Sequence, residues 1–433
     1  MSAGTGLTTH ARQLLSTLRV GQHEVQALYG LEALSRGHTI EWPSLIAVAA
    51  SRKPFDPRDP RQVAVALRHA ARYLPSFLSG RSVEAGRVVA GRAAGIVCSH
   101  PEYLRFERVY NLALLYRVAH FYSFFTRRPL QVHLPAPDRV DMFHTTTVLP
   151  IRLVGAPNVV TLHDVIPLAF REDRQRFRWA FRNVYLAAVA SADMVFAVSE
   201  QSRSDAVEFL HIPRNRIMVT YQTASVPAQY LGIDPHRLAQ RLRAGFDLEA
   251  GRYFLFFGAI QPRKNIVRML AAMRLAKTDF PLVLVGNDCR DHGPEKQLIQ
   301  QCLAERDAKL RYLPYQDEDA LMHLVKGARA VLFPSLFEGF GLPVLEGMQL
   351  GVPVITSNRG ALREVGGDAP LYVDPRDTTA IAHAIERLSG NDALCVELSR
   401  KGLARASAFS PDRYLERLEE GYAMATQNWK QLR

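Results

Sequence analysis

Phe333-Pro-Ser-Leu-Phe-Glu-Gly-Phe-Gly-Leu-Pro-Val-Leu-Glu346 decides how this chain is read. Ala330 to Ser335 is a short apolar run of the kind a buried strand requires. Gly339 and Gly341 follow, and glycines let a backbone lie close against a ligand. Pro343 sits where a first helical turn begins. A helix N-terminus offers unpaired N–H groups and the positive end of its dipole, which suit a phosphate. Glu338 precedes that helix and Glu346 lies about one turn inside it. Both carboxylates are placed to accept hydrogen bonds from ligand hydroxyls.

The alternation continues on both sides. Apolar runs at Val159–His163, Met194–Ser199, Ile217–Tyr221, Tyr253–Gly258, Leu282–Gly286 and Val352–Ser357 predict strands buried on both faces. Amphipathic stretches at Phe177–Ala190, Ile266–Ala276 and Asp377–Leu388 predict helices between them. The fold class is α/β, with two doubly wound, Rossmann-like parallel sheets. Pro227–Arg252 shows no strand and divides the chain into an N-terminal domain over 1–230 and a C-terminal domain over 250–405. Ser410 and Pro411 open a last amphipathic helix over 411–430, expected to cross back to the N-terminal domain. The beginning is unusual: Gly4-Thr5-Gly6 leads directly into a helical pattern, Thr8–Leu18. Glu24–Tyr29 is the nearest candidate for the opening strand.

Two further strand ends carry chemistry. Gly258-Ala-Ile-Gln-Pro-Arg-Lys-Asn265 places Arg263 and Lys264 at the C-terminal edge of a parallel sheet, where ligands bind in such folds. An arginine fork beside a lysine point charge suits a diphosphate. Val160-Thr-Leu-His-Asp164 ends another strand with His163 on the same kind of edge, followed by an acid.

Composition narrows the class. Of 433 residues, 48% are hydrophobic and 22% charged, which excludes a disordered, collagenous or coiled-coil chain. Cys98, Cys289, Cys302 and Cys395 lack the spacing of a zinc site or disulfide framework and fit a reducing compartment. Apolar stretches such as Arg87–Cys98 carry arginines and fall short of the ~20 residues of a membrane-crossing helix. The opening residues do not read as a signal peptide. A cytoplasmic protein is expected. The net charge is +12, and residues 51–130 hold fourteen basic and five acidic residues interleaved with aromatics. That segment reads as a helical subdomain with a solvated arginine face, or as a surface for peripheral contact with anionic inner-membrane lipid.

With these motifs in place, the chain resembles the GT-B glycosyltransferases of family 4, glycosyl transferases group 1. Glu338 to Glu346 is similar to that family's E-x7-E motif, followed by Gly351-Val-Pro-Val-Ile-Thr-Ser-Asn358 and Leu371-Tyr-Val-Asp-Pro375. Thr161-Leu-His-Asp-Val-Ile-Pro167 and Gln261-Pro-Arg-Lys-Asn265 resemble its mannosyltransferase-type branch. Gly4-Thr-Gly-Leu-Thr-Thr-His-Ala-Arg12 looks like its Gly-rich loop, without the strand that ordinarily precedes it. The likeness is strong over about 140–425 and weak before it. It implies two Rossmann-like domains facing a central cleft. It implies that Glu338 holds donor-sugar hydroxyls, Glu346 the ribose, and Arg263 and Lys264 the diphosphate. Gly339 would lie in the donor loop. The amides around Phe340, Gly341 and Leu342 would face sugar and phosphate, and Gly6 would close the phosphate from the other domain. His163 would meet the sugar near the reacting carbon, and the base would lie near Tyr312–Tyr315.

The resemblance implies a retaining transfer of sugar from a nucleotide-sugar co-substrate, with GDP-mannose favoured, to a glycan or lipid-linked glycan in bacterial polysaccharide or lipopolysaccharide assembly. Retention through a covalent intermediate needs a carboxylate opposite the leaving group, and the sequence offers none to assign. Asp317-Glu318-Asp319 has the D-x-D spacing of a metal triplet but opens a helical pattern, where acids favour the dipole. Catalysis without a metal and without another cofactor is therefore expected, as is the absence of a nucleic-acid partner. The competing readings are a GT-B sugar-nucleotide epimerase, a pyridoxal-phosphate phosphorylase, and a non-catalytic basic lipid- or nucleic-acid-binding protein.

Overall fold

A computed structural model describes residues 6–29, 39–41, 82–89, 106, 108–112, 115–170, 178–224, 226–286, 293–305, 307 and 309–431. Gly4 and most of the basic segment 51–130 lie outside the described residues.

Helix α1 (Gly6–Val20) opens the described chain. The N-terminal half carries a parallel sheet of β1 (Phe143–Thr145), β2 (Asn158–Leu162), β3 (Met194–Ala197) and β4 (Ile217–Val219), in the order β4-β3-β2-β1. Every residue of β2 and β3 is buried: β3 is an unbroken apolar run, and β2 buries Asn158 and Thr161 with its apolar residues. Helix α2 (Glu200–Leu210) leaves β3 through Ser199, whose Oγ accepts the Ser202 N–H as an N-cap. The rest of this half departs from a single sheet. Ala27–Tyr29 is a strand, but it pairs with Val109–Asn111 in a separate sheet with Gly86–Val89 and Thr39–Glu41. Val83–Glu84, Leu130–His133 and Ile151–Leu153 form a third sheet. These strands are two to four residues long and carry arginine, glycine and glutamate, so no buried run marks them. In the described part of 51–130, the helix Leu115–Thr126 buries Val118, Ala119 and Tyr122 and exposes Phe121 and Phe125.

The C-terminal half is one parallel six-stranded sheet: β5 (Phe254–Phe257), β6 (Leu282–Val285), β7 (Leu310–Leu313), β8 (Ala330–Phe333), β9 (Val354–Ser357) and β10 (Leu371–Val373). Helix α3 (Glu318–Lys326) precedes β8, α4 (Leu342–Gln349) follows it, and α5 (Gly360–Gly366) follows β9. The spatial order is β7-β6-β5-β8-β9-β10. Counted from β5 this is the Rossmann order 3-2-1-4-5-6, so the winding reverses between β5 and β8. The crevice outside the carboxyl ends of those two strands is where such sheets bind ligands. Phe256 of β5 and Phe333 of β8 stack in the core beneath it, centroids 5.8 Å apart.

The strands end earlier than the apolar runs suggest. His163, Ser199, Gly258 and Ser335 all fall just beyond them, in the loops that carry chemistry. The chain closes with α6 (Pro411–Gln431), whose first turn is capped by Ser410 Oγ accepting the Arg413 N–H. Tyr414, Leu418 and Ala425 of α6 pack on Leu14 of α1 and on Val159, Met194 and Phe196 of the N-terminal sheet. No described helix is long and apolar enough to cross a membrane.

Candidate active site

The winding reversal brings two loops together. After β5, Pro262–Lys264 forms one 3-10 turn, ended by Asn265 in the left-handed conformation. The Asn265 side-chain amide donates to the carbonyl oxygens of Pro334 and Pro375, at 2.9 and 2.6 Å. One buried asparagine thereby ties the loop after β5 to the ends of β8 and β10 and aims Arg263 and Lys264 at the loop after β8. There Arg263 Nη1 donates to Glu338 Oε2 at 2.7 Å, and Lys264 Nζ to Glu338 Oε1 at 2.6 Å.

This triad is almost dry, with the Glu338 and Lys264 side chains only 8% and 9% exposed. Burial pushes the Glu338 pKa up, but Arg263 and Lys264 outweigh it and hold the carboxyl below its usual value. Burial lowers Lys264 to about 8 against the pull of Glu338. Its ammonium also lies 4.6 Å over the Phe333 ring. Asp164, at the end of β2, interacts with the same three charges. Burial raises its pKa, opposed by the Ile166 amide and by Arg263 and Lys264. Two cations and two acids thus meet where the halves face each other. The single Glu338 carboxylate holds both cations.

Glu346 stands apart on α4. Burial, then repulsion from Glu318, raises its pKa to about 7. Glu318 begins α3 and meets Arg12 of α1 at 3.5 Å. Gly341 takes φ +104° at the start of α4, which favours glycine there. Phe340 is buried, its ring edge-on to Phe409 at 5.7 Å, and Leu342 is half-buried. Tyr312 lies in β7 with its hydroxyl donating to Gly286 O, and Tyr315 beyond it is 44% exposed. Gly6 is the first residue of α1.

His163 sits across the seam. Its Nε2 meets Thr146 O at 2.9 Å, and a carbonyl only accepts, so Nε2 carries the hydrogen. Nδ1 then accepts from Gln222 Nε2 at 2.9 Å. Burial lowers the pKa to about 4, so the ring is neutral. With both nitrogens engaged, a sugar hydroxyl reaches a ring nitrogen only by displacing Gln222 or Thr146.

The seam depends on Gly339, expected in the donor loop, and on residues the sequence reading passed over. A Cβ on Gly339 would lie 2.1 Å from His163 O, so only glycine lets this loop rest on the end of β2. Ser199 Oγ donates to Gly339 O at 2.7 Å, and Ser202 Oγ lies 2.9 Å from His163 O and 3.1 Å from Gly339 O. Glu364 of α5 accepts the backbone N–H groups of Glu200 and Gln201 at 2.7 and 3.2 Å. A carboxylate from the C-terminal half therefore caps an N-terminal-half helix. The sequence reading takes Ser199 only as the end of a strand, and nothing local marks Ser199, Ser202 or Glu364 as partners across the cleft, or Gln222 as the partner of His163. The D-x-D triplet is spent on structure. Asp317 caps α3 through the Ala320 N–H, and Asp319 accepts from Tyr230 and Arg241.

The family model described as Glycosyl transferases group 1 matches residues 241–405, and that of Glycosyltransferase Family 4 matches 87–223. O-antigen chain mannosyltransferase B of Escherichia coli is 35% identical over 269 residues, covering 60% of this chain and 68% of that protein. The serotype-specific mannosyltransferase WbdA of Escherichia coli is 27% identical over 272 residues, covering 61% of this chain and 33% of that protein. The chain thus matches about a third of the length of WbdA. Among solved structures, Anabaena HepE in complex with UDP-glucose superposes with a TM-score of 0.57 at 15% identity, covering 91% of this chain and 98% of that one. That likeness shows the fold, GT-B. The chain belongs to the glycosyl transferases group 1 family and is a glycosyltransferase of the GT-B fold.

Proposed function

We propose that this enzyme transfers mannose from GDP-mannose to a glycan acceptor, with retained anomeric configuration, in the assembly of a bacterial surface polysaccharide. The observation that carries the reading is the pairing of Arg263 and Lys264 on Glu338 at the winding reversal. Preorganised cations are aimed where charge grows as a diphosphate leaves, and they need no reorganisation at the moment of reaction. The mannose and surface-glycan assignment draws support from the names of the E. coli relatives.

In this reading Glu338 passes its cations to the donor diphosphate and turns its oxygens to sugar hydroxyls. Glu346 takes the ribose. With Glu338 turned to sugar hydroxyls and Asp164 accepting the Ile166 amide, the reading favours front-face substitution over attack by a carboxylate. The leaving phosphate oxygen takes the acceptor proton as the new glycosidic bond forms on the same face. The structural duties of Asp317 and Asp319 support transfer without a divalent metal. A lipid-linked acceptor reached by peripheral contact with the cytoplasmic face of the inner membrane is supported by exposed Phe121 and Phe125 beside exposed Arg127 and Arg128.

The test is transfer from GDP-mannose, against UDP-glucose, to a mannose-terminated oligosaccharide in the presence of a chelator. Mass spectrometry reads the added hexose and NMR its configuration. An α-linked hexose from GDP-mannose is expected. A β-linked product, or transfer from UDP-glucose alone, contradicts the reading.

A further inference from the structure

Three histidines meet between α1, the N-terminal sheet and α6. In two of them both ring nitrogens are engaged: His163 by Thr146 O and Gln222, and His144 by the Tyr422 and Thr161 hydroxyls at 2.8 and 2.7 Å. His10 differs. It is 1% exposed, and its ring stands edge-on to His163 with centroids 4.6 Å apart. Tyr414 of α6 lies 6.3 Å away. Neither Nδ1 nor Nε2 of His10 has a hydrogen-bond partner among the described residues.

A dry imidazole with donor and acceptor both unpaired has given up its hydration for nothing. A residue needed only to fill this space would be apolar. Burial, with His163 and His144 nearby, keeps the ring neutral, so it offers one N–H and one lone pair. A hydroxyl, which donates and accepts at once, is its complement. The ring also lies against His163, which the sugar-transfer reading places near the reacting carbon.

We propose that His10 is a further substrate-binding residue, which hydrogen-bonds a sugar hydroxyl beside His163 when the substrates are in place. The inference rests on the sugar-transfer reading above. The full chain is compared with His10→Phe, which keeps the flat ring without its nitrogens, and His10→Gln, which restores a donor and an acceptor. His10→Phe is expected to keep a Tm at or above wild type and GDP affinity within about twofold, while kcat/KM for transfer falls about 10- to 100-fold. His10→Gln is expected to recover most of that loss. Weaker binding of GDP-mannose but not GDP assigns the hydroxyl to the donor. A raised acceptor KM with unchanged donor hydrolysis assigns it to the acceptor. Wild-type kcat/KM in His10→Phe, or equal impairment of both variants, overturns the inference and leaves the transferase reading standing. A wild-type chain that takes up no nucleotide sugar overturns both.

Discussion

At the scale of single residues, the site is governed by burial acting on charge. Glu338 and Lys264 are equally dry, yet Glu338 stays ionised because two cations clasp it, while Glu346 faces only another acid and is driven to about 7. A carboxyl whose folded pKa lies above its unfolded value binds more protons folded than unfolded between the two. Stability therefore falls as pH rises from 4.5 to about 7, and the loss is complete above that. Glu346→Gln removes this penalty. The variant should be more stable than wild type at pH 8 by about 3 kcal/mol, with the difference gone by pH 4.5. Its nucleotide affinity should drop about tenfold, because the ribose loses its carboxylate. Tm against pH, with and without GDP, checks both; parallel curves for the two proteins would sink the assignment. Arg263, Lys264, Glu338 and Glu346 were legible because each sits at a fixed offset from an apolar run. The direct clasp of both cations on Glu338 was not, because it arises from two loops 75 residues apart that only the sheet order brings together.

At the scale of elements, the loop between β8 and α4 does two things: it carries Glu338, and it forms the seam with β2. Its requirement for glycine at 339 is one of space, since that residue is not among those with left-handed backbone but has His163 O where a Cβ would stand. Gly339→Ala should cost about 1–3 kcal/mol if the seam holds, as overpacking does. If the seam instead springs open, Tm stays near wild type and transfer is lost. In either case kcat for transfer should fall at least about tenfold while GDP still binds. Wild-type kcat would show that the seam has no part in turnover. The central strands β5, β6 and β8 could be read directly as unbroken apolar runs buried on both faces, and β9 from the β-branched Val354-Ile-Thr that begins it. β1, β7 and β10 could not: they are three or four residues long, part-exposed and at sheet edges. Of the small sheets before residue 155, Ala27–Tyr29 lies within the candidate strand Glu24–Tyr29, and the other strands, two to four residues long, have no apolar run to mark them.

At the scale of the whole molecule, two halves meet over the winding reversal, and the described contacts between them are both polar and apolar. Glu364 capping α2 from α5, Ser199 and Ser202 on Gly339 O, and α6 laid across the N-terminal sheet are the main ones. Glu364→Ala removes a helix cap worth about 1 kcal/mol and with it a cross-cleft tie. Solution scattering should show a larger radius of gyration, with GDP affinity unchanged within about twofold and transfer reduced. A scattering curve identical to wild type would mean that the halves are held without it. The return of α6 to the N-terminal half is an expectation of the sequence; the polar ties are not legible there, since a contact between residues more than 130 positions apart leaves no local pattern. The central claim is that the reversal between β5 and β8 binds a nucleoside diphosphate sugar through Arg263, Lys264, Glu338 and Glu346. Its most direct test is thermal stability across GDP, UDP, ADP and CDP and their sugars, with and without chelator. Selective stabilisation by GDP and GDP-mannose is predicted, about 2.7 kcal/mol at a hundredfold excess over Kd. It should be indifferent to chelator and absent in Lys264→Ala. No response to any nucleotide, or an equal response in Lys264→Ala, would contradict it.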